Sequence, residues 1–301
     1  MWLADNWKDY EVIDTSNGEK LERWGDYLLV RPDPQVIWNT KRTAPGWKKK
    51  NGIYHRSSKG GGEWEFFDLP KEWTIEYYLN GDAKEKLTFG LKPFSFKHTG
   101  LFPEQATNWD WFSSIIKEEK RNNPNKEISV LNLFAYTGGA TLSAAKAGAK
   151  VTHVDASKGM VTWAKENAML SGLENAPIRW LVDDCVKFVE REIRRQNHYD
   201  AIILDPPSYG RGPKGEIWKI EESLYPLLEL LTQILSDKPL FFLLNSYTTG
   251  LQPAVMQYML SVTAGKKFLN NGGNITSGEI GLPVSGNGLV LPCGASARCS
   301  R

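Results

Sequence analysis

The sequence is poor in cysteine and contains no long apolar run. Its three cysteines, Cys185, Cys293 and Cys299, lack the spacing of a metal site. An odd number of cysteines without such spacing is typical of a reducing compartment. No apolar stretch approaches the roughly 20 residues that a membrane-spanning helix needs. The first residues also lack the basic and apolar regions of a signal peptide. We therefore expect a cytoplasmic protein with no membrane partner.

Two glycine-rich signatures of nucleotide-binding proteins are also absent. The chain contains no G-x-x-x-x-G-K-[ST] loop, so ATP binding is not supported, and no G-x-G-x-x-G fingerprint, which argues against NAD. The formal net charge of +2 neither requires nor excludes a nucleic-acid partner. With 41% hydrophobic and 24% charged residues, the composition is that of an ordinary globular protein.

Tryptophan, by contrast, is abundant in the first third of the chain. Nine of the 12 tryptophans precede residue 112, so this region differs in character from the rest. Short aromatic and β-branched runs at 27–30, 63–67 and 73–79 predict strands, and Asn80-Gly81-Asp82 predicts a hairpin turn. We expect a small β-rich domain over residues 1–90 and a second domain over residues 91–301.

A basic segment lies within this region. Residues 34–62 contain no acidic residue, and Trp38, Trp47 and Tyr54 are interleaved with the basic side chains. These are Lys41, Arg42, Lys48, Lys49, Lys50, Arg56 and Lys59. Cations for phosphates and rings for stacked bases are the combination that binds nucleic acids. A solvated loop whose rings face the small core explains the same pattern, so both interpretations stay open.

From residue 128 onward, apolar runs alternate with helical patterns. This alternation predicts an α/β fold, a doubly wound and mostly parallel sheet with helices on both faces. The predicted strands are 128–134, 151–154, 178–182, 199–204 and 239–244, with a closing hairpin over 278–283 and 288–292. The predicted helices are 109–120, 140–147, 158–170, 185–196, 220–235 with a kink at Pro226, and 253–262.

Polar residues follow each of the first four predicted strands. Thr137-Gly138-Gly139 follows the first, Asp155 the second, Asp183 and Asp184 the third, and Asp205 the fourth. In an open α/β sheet, ligands bind outside these carboxyl ends. Asp155 lies 16 residues past Gly139, close to the offset of about 20 at which a carboxylate binds ribose hydroxyls. Solvated acids or helix caps are the structural alternative.

Two of these sites, the Thr137-Gly138-Gly139 turn and Asp205-Pro206-Pro207, indicate which cofactor and which substrate group the protein binds. A glycine pair without the full fingerprint suits a methionine-type zwitterion beside an adenosine better than a pyrophosphate, which favours S-adenosylmethionine. Two prolines hold a rigid turn with exposed carbonyls. A carboxylate and a carbonyl in fixed geometry can accept hydrogen bonds from an amino group on a planar ring, on which Tyr209 can stack.

These motifs together resemble the class I S-adenosylmethionine-dependent methyltransferases, especially those that act on large-subunit ribosomal RNA. The resemblance covers about residues 95 to 298. It rests on Leu133-Phe134-Ala135-Tyr136-Thr137-Gly138-Gly139, His153-Val154-Asp155-Ala156-Ser157, Asp205-Pro206-Pro207-Ser208-Tyr209-Gly210 and Leu289-Val290-Leu291-Pro292-Cys293-Gly294. Where the first family motif begins with an acid, this chain has Asn132, so we expect a weaker or shifted contact with the cofactor's amino group.

The resemblance implies a role for each motif. The turn 135–139 would contact the methionine part of the cofactor, Asp155 the ribose, and Asp184 or Asp183 the adenine amino group. The segment 99–105 would close over the methionine end. The implied cofactor-binding residues are Thr99, Gly100, Phe102, Pro103, Glu104, Gln105, Ala135, Tyr136, Thr137, Gly138, Gly139, Asp155, Ala156, Ser157, Asp183, Asp184, Cys185 and Asp205. The implied catalytic residues, facing the target base, are Asp205, Pro206, Pro207 and Tyr209.

The cysteine positions favour methylation at nitrogen over carbon 5. Carbon 5 of a pyrimidine needs covalent activation by a nucleophile. Relatives that modify it have a cysteine after the fourth or fifth strand, where this chain has Asp205-Pro206-Pro207-Ser208 and Asn245-Ser246-Tyr247-Thr248. We therefore expect methylation of RNA, in particular ribosomal RNA. A protein or small-molecule methyltransferase and a non-catalytic S-adenosylmethionine-binding protein are the alternatives.

Overall fold

The computed structural model describes residues 1–57, 61–94, 97–212 and 215–301. Contacts divide the chain into two compact units, the first comprising Met1–Thr107 and Ile280–Cys293, the second Asn108–Glu279 and Gly294–Arg301. The sequence-based boundary after residue 90 stays a prediction about folding domains. Within the described residues, no helix is both long and apolar enough to cross a bilayer.

The first unit consists mainly of antiparallel strands. They are β1 (Trp2–Leu3), β2 (Tyr10–Ser16), β3 (Glu19–Trp24), β4 (Tyr27–Pro32), β5 (Gly52–Arg56), β6 (Gly62–Phe66), β7 (Trp73–Tyr78) and β8 (Lys86–Leu91), with 3-10 turns at Pro45–Trp47, Leu79–Gly81 and Pro103–Gln105. β2 to β6 form one sheet in chain order, and β7 pairs with β8. The β-rich region and the hairpin at Asn80-Gly81 are confirmed. The β2–β3 hairpin was missed, although Asn17-Gly18 is a strong turn signal.

A buried ion cluster ties β2, β3 and β4 together. Glu22 is fully buried, and the guanidinium of Arg31 donates to both of its oxygens, at 2.6 and 2.8 Å. The Tyr10 hydroxyl donates to the same carboxylate at 2.7 Å, and the Lys20 ammonium lies 3.5 Å away. Burial alone would raise the pKa of Glu22, but Arg31 and Lys20 lower it to about 2. Removing one partner of such a pair typically costs about 3–5 kcal/mol, so the cluster fixes the pairing of the three strands.

The second unit contains the alternating strands and helices. Their bounds are α1 (Ala106–Asn122), β9 (Ser129–Leu133), α2 (Gly139–Lys146), β10 (Lys150–Asp155), α3 (Lys158–Leu170), β11 (Ile178–Val182), α4 (Cys185–Arg194), β12 (Ala201–Leu204), β13 (Tyr209–Arg211), β14 (Ile217–Lys219), α5 (Ile220–Ile234), β15 (Phe241–Ser246), α6 (Pro253–Val262), α7 (Gly265–Leu269), β16 (Asn274–Pro283) and β17 (Val290–Ser300). The first two residues of α1 and the adjoining ends of β16 and β17 belong to the first unit.

The strand order of this sheet creates the place for a ligand. The full order is β1-β16-β17-β15-β12-β9-β10-β11. Strands β15, β12, β9, β10 and β11 are parallel, and β17 is antiparallel to β15. The chain runs outward from β9 to β11 and then returns to the other side of β9 as β12. Such a reversal is a topological switch point, where a crevice opens at the carboxyl ends of the two central strands. The predicted fold class is confirmed.

Apolar side chains cover both faces of the sheet. On one face, Leu131 and Phe242 belong to a buried cluster with Leu228 of α5 and further residues of α4 and α6. Successive strand residues point to opposite faces, and on the other face Phe241 stacks on Phe112 of α1 with the ring centroids 5.5 Å apart. Burying a side chain of this size stabilises the fold by roughly 1.5–3 kcal/mol. Packing on both faces therefore holds the strand ends in place.

The structure differs from the predicted elements of the second unit in several places, among them helix α7 (Gly265–Leu269), which was missed. A short hairpin, β13 with β14, separates β12 from α5 and was missed. Strand β17 extends to Ser300, well beyond the predicted end of the closing hairpin at residue 292. Helix α5 agrees with the prediction, since it runs from Ile220 to Ile234 with Pro226 inside it, and the kink at Pro226 stays a prediction. Alternating small and polar residues at the end of β17 do not form a long apolar run, which explains why the sequence pattern stopped short.

Candidate active site at the carboxyl ends of the parallel strands

The turn after β9 is backbone-strained. Phe134 and Tyr136 have positive φ angles of 54° and 51°, and Gly138 has a φ of 88°. The Ala135 N–H donates to the Val154 carbonyl at 3.2 Å, which ties the turn to β10. A non-glycine residue in a left-handed conformation costs of order 1–3 kcal/mol and persists only where its surroundings enforce it. Such strain concentrates at ligand sites, so the turn is a candidate binding loop.

The two glycines of the turn are required by packing inside the protein. A Cβ on Gly139 would lie 2.6 Å from Cζ2 of Trp109, and one on Gly138 would lie 3.0 Å from Cβ of Ala164. Asn167 also donates from Nδ2 to the Thr137 carbonyl at 2.9 Å. From the sequence, the glycine pair was expected to belong to a turn that suits the methionine part of S-adenosylmethionine. The contacts show that α1 and α3 themselves approach too closely for a side chain.

Asp155 joins the turn to the start of α3. It is half-buried, and its Oδ2 accepts from the Tyr136 N–H at 2.8 Å while its Oδ1 accepts from the Ser157 N–H at 2.8 Å. Burial raises the pKa of Asp155, and the two amides oppose that shift. An ionised carboxylate has about four acceptor positions, of which these amides use two. The side chain can therefore hold its own loops and accept from a diol.

Asp183 and Asp184 have structural partners as well. The Oδ1 of Asp184 caps α4 by accepting from the Lys187 N–H at 2.9 Å, and Oδ1 of Asp183 accepts from the Asp184 N–H at 3.0 Å. The Arg191 guanidinium donates to Oδ2 of Asp183. The Asp183 N–H donates to the Asp155 carbonyl at 3.0 Å, which joins the ends of β11 and β10. The Oδ2 of Asp184 takes no part in the cap.

Asp205 lies at the end of β12, beside the turn of β9. The two strands are paired in register up to Leu204 and Leu133. Asp205 is half-buried, and Asn245 at the end of β15 donates from Nδ2 to its Oδ1 at 2.8 Å. Asn245 was considered in the sequence only as a position without cysteine. A polar residue ending an otherwise apolar strand was the signal that could have identified it.

The prolines after Asp205 are fixed by the β13–β14 hairpin. Pro206 is buried and Pro207 exposed, and the Trp218 indole N–H donates to the Pro207 carbonyl at 2.6 Å. One of the carbonyls predicted to face a substrate therefore already has a protein donor. Tyr209 begins β13 with 54% of its surface exposed, so its ring is accessible. Trp218, a further contributor to this corner, was missed because the hairpin was missed.

The segment 99–105 lies in the first unit. Thr99, Gly100, Pro103, Glu104 and Gln105 are buried there, and Phe102 is half-buried. Trp7 donates from its indole N–H to the Pro103 carbonyl at 2.9 Å. Burial raises the pKa of Glu104, and Lys20 and Arg31 oppose that shift. The contact of this segment with a cofactor stays a prediction.

Asn132 is buried on β9, and its side chain takes part in a hydrogen-bonded group with Thr141 and His153. Its Nδ2 donates to the Thr141 hydroxyl at 2.9 Å, and that hydroxyl lies 2.8 Å from Nδ1 of His153. Burial lowers the pKa of His153 to about 3, so the imidazole is neutral at pH 7. Asn132 therefore ties β9, α2 and β10 together. The weaker or shifted contact of Asn132 with the cofactor stays a prediction.

The chain was compared with known proteins. The family model described as S-adenosylmethionine-dependent methyltransferase matches residues 83–234, about half of the chain. A solved structure of a SAM-dependent methyltransferase from Agrobacterium tumefaciens is 36% identical, has a TM-score of 0.88, and aligns over 99% of this chain and 92% of that chain. This chain belongs to the S-adenosylmethionine-dependent methyltransferase family. The predicted family and its cofactor, S-adenosylmethionine, are confirmed.

Curated relatives of this methyltransferase are much longer proteins. The Ribosomal RNA large subunit methyltransferase K/L of Shewanella frigidimarina is 37% identical over 241 residues, which cover 77% of this chain and 30% of the relative. The protein of the same name from Pseudoalteromonas atlantica is 28% identical over 254 residues, covering 75% of this chain and 33% of the relative. The chain thus spans about a third of the length of these relatives.

The fit at Gly139 is testable by adding one carbon. Because the Cβ would meet Trp109 at 2.6 Å, we expect Gly139→Ala to lower the free energy of unfolding by about 1–3 kcal/mol. Gly159→Ala in α3 is the matched control, since its Cβ would lie 3.8 Å from its nearest neighbour, the Ser157 Oγ. Urea denaturation of both variants measures the difference. Equal stability of the two would contradict the packing explanation.

The pH dependence of cofactor affinity tests Asp155. Only the carboxylate can accept two further hydrogen bonds, and burial raises its pKa above the usual range. Affinity for S-adenosylmethionine should therefore fall on acidification, starting at a higher pH than an exposed aspartate would give, which titrates near about pH 4. Titration calorimetry across the acidic range measures this.

The control for that titration is Asp155→Asn, which should bind about 10- to 100-fold more weakly, as expected for loss of a charged hydrogen bond. It should also lack the acid-dependent decrease. A wild-type affinity that is constant down to about pH 4 would remove Asp155 from the cofactor site.

Proposed function

We propose that this methyltransferase transfers the methyl group of S-adenosylmethionine to a nitrogen of a base in ribosomal RNA. The observation that carries the proposal is the position of Asp205-Pro206-Pro207. It follows β12, the strand adjacent to β9, so it shares the switch point of the sheet with the glycine turn. An acceptor group for a planar amine thus lies beside the corner that the family uses for its cofactor.

The donors and acceptors at this edge fit S-adenosylmethionine. The turn 135–139 offers backbone groups for the methionine part, and Asp155 retains acceptor capacity for the two ribose hydroxyls. Asp184 is the better of the two candidates for the adenine amino group, because Arg191 already pairs with Asp183. We keep Ala156, Ser157 and Cys185 as neighbours of the nucleoside. The buried side chain of Cys185 limits it to contacts through its backbone.

The proposed chemistry is a direct displacement. Bound S-adenosylmethionine supplies a sulfonium methyl, and the lone pair of a base nitrogen forms the N–C bond as the C–S bond breaks, leaving S-adenosylhomocysteine. Asp205 orients the base by accepting from its amino group, and it can take the proton that a methylated amino nitrogen loses. Holding the reacting atoms in line and close together can lower the barrier of such a reaction by about 7–11 kcal/mol.

The three cysteines support nitrogen over carbon 5. A nucleophilic cysteine reacts as the thiolate and has a lowered pKa. Here burial raises the pKa of Cys185 and of Cys293 well above the ordinary value, and that of Cys299 to about 12. All three are free cysteines that favour the inert thiol. None of them has the properties of a covalent catalyst.

Two observations support RNA as the substrate. Curated relatives carry the name Ribosomal RNA large subunit methyltransferase K/L. In the first unit, Lys48, Lys49 and Arg56 are exposed, and the rings of Phe66 and Phe67 are 53% and 56% exposed. We assign phosphate contacts to the exposed basic side chains and base stacking to the two phenylalanine rings.

The aromatic rings of the basic segment itself are largely structural. Trp47 and Tyr54 are buried. The Arg42 guanidinium covers the Trp47 ring at 4.0 Å and pairs with Glu19. Lys59 lies outside the described residues. Trp38 is 36% exposed, so of the three rings only Trp47 and Tyr54 support the core interpretation. We keep an RNA-binding role for the exposed basic side chains.

Replacing Asp205 by alanine tests the catalytic assignment. We expect methyl transfer to ribosomal RNA to fall by about two to four orders of magnitude, the range for a general base. Affinity for S-adenosylmethionine should stay measurable, because Asp155 and the turn remain. Transfer from radiolabelled cofactor and calorimetry give the two values. Asp237→Ala, an exposed aspartate before β15, is the matched control and should retain activity. Full methyl-transfer activity of Asp205→Ala would contradict the catalytic assignment of Asp205.

Salt dependence distinguishes RNA from a protein or small-molecule substrate. We expect a steep fall of RNA affinity with salt, and the double variant Lys48→Ala/Lys49→Ala should make the log–log slope shallower by about one to two. Filter binding across a salt series measures this. Lys165→Ala/Lys238→Ala, two exposed lysines of the second unit, should leave the slope unchanged. Salt-independent binding would favour the other substrate classes, and a wild-type protein that binds cofactor without any transfer would favour a non-catalytic role.

A further inference from the structure

A continuous chain of buried hydrogen bonds ends at Asp205. The Arg298 guanidinium donates from Nε and Nη2 to the Asn108 Oδ1, at 3.0 and 2.7 Å. The Asn108 Nδ2 lies 3.1 Å from the Ser296 Oγ, to which it donates. Ser296 donates to the Asn245 Oδ1 at 2.8 Å, and Asn245 donates to the Asp205 Oδ1 at 2.8 Å. We refer to these five residues as the polar chain.

In every hydrogen bond of the polar chain, the donor is the residue nearer to Arg298 and the acceptor is the residue nearer to Asp205. Arginine has only donors, so Asn108 must present its carbonyl oxygen to Arg298 and its amino group to Ser296. The Ser296 oxygen accepts there, so its single proton goes to the carbonyl of Asn245. That leaves the Asn245 amino group for the carboxylate, which only accepts. Requirements at both ends therefore agree on one orientation for each amide.

The fold places these residues on one face of the sheet. Asn245 of β15 is directly opposite Ser296 of β17, and Leu243 is opposite Arg298 two residues further on. Strand residues two apart share a face. Asn108 comes from α1, which packs on this same face, and the Arg298 guanidinium lies 5.0 Å from the ring centroid of Trp111 in that helix.

The composition of the polar chain is unusual for the interior of a protein. All four side chains other than that of Asp205 are buried, and the residues that alternate with them on β17, Ala295, Ala297 and Cys299, are apolar. Burial lowers the pKa of Arg298 to about 9, which shows how unfavourable the site is for the charge. Apolar residues of similar size often stabilise a core better than buried ionic groups. The arrangement is accounted for if its end point, the Asp205 carboxylate, is what matters.

We propose that Arg298, Asn108, Ser296 and Asn245 are positioning residues that set the orientation of the Asp205 carboxylate. The inference rests on the proposed function, in which Asp205 holds the target base. Asn245, the last donor of the polar chain, binds Oδ1 of Asp205. This hydrogen bond restricts rotation about the Cβ–Cγ bond of Asp205 and so sets the direction of its Oδ2. Polarisation along aligned donors strengthens each bond and brings part of the distant positive charge to bear on the carboxylate.

Ser296→Ala tests the proposal with the loss of one oxygen atom. We expect kcat for methylation of ribosomal RNA to fall about 10- to 100-fold, since a misplacement of about 1 Å can cost about 100-fold. The KM for RNA and the Kd for S-adenosylmethionine should stay close to wild type, because Ser296 is fully buried. Asn245→Ala should give a similar loss and repeats the test if the first variant does not fold.

The double variant Ser296→Ala/Asn245→Ala tests whether the two residues act through one connected series of hydrogen bonds or independently of each other. Either single change interrupts the same chain, so the double variant should lose no more kcat than the larger single loss, whereas independent effects would multiply. Cys299→Ala is the control, a buried truncation on the opposite face of β17 that should keep wild-type kcat.

The possible results separate this proposal from the proposed function. Wild-type kcat in Ser296→Ala and Asn245→Ala, with Asp205→Ala inactive, would overturn the positioning role and leave the function intact. Multiplying losses, or an equal loss in Cys299→Ala, would overturn it as well. No methyl transfer by the wild-type protein would overturn the function and this inference together.

Discussion

The two hydrogen bonds accepted by Asp155 hold the candidate site together. One oxygen binds the amide of the strained turn after β9, and the other binds the amide that begins the loop into α3. Without them, a turn with two non-glycine residues at positive φ would lose part of what enforces its shape. The position of the turn, and with it the space beside Asp205, therefore depends on a side chain from the neighbouring strand.

Much of the second unit could be predicted because its determinants are local. Parallel strands covered on both faces are continuous apolar runs, and the residues that end them follow directly in the sequence. The turn at 137–139, Asp155 and Asp205 were all found in this way, and the sheet order brings them to one edge. Resemblance to a family then supplied the cofactor, which spacing alone only favoured.

The remaining features depend on residues far apart in the chain. Asn108 and Arg298 are separated by 190 positions, and nothing near either one indicates a partner. The ion cluster of Glu22 and Arg31 likewise joins strands through side chains that look like ordinary surface charges in the sequence. The glycine pair was noticed as part of a ligand-binding turn, and the structure adds that Trp109 and Ala164 also leave no room for a side chain there. Sequence patterns report that space is tight without reporting what fills it.

Unfavourable features are concentrated around one edge of an otherwise apolar sheet. Left-handed backbone at Phe134 and Tyr136 and the half-buried carboxylate of Asp155 each reduce stability when taken alone. A domain is stable by only about 5–15 kcal/mol, so several such features in one region need compensation by the packed faces of the sheet. Proteins depart from the usual preferences for backbone conformation and for burial of charged groups chiefly at functional sites. Their convergence on the ends of β9 and β10 is an argument for a ligand site there that does not depend on any single residue.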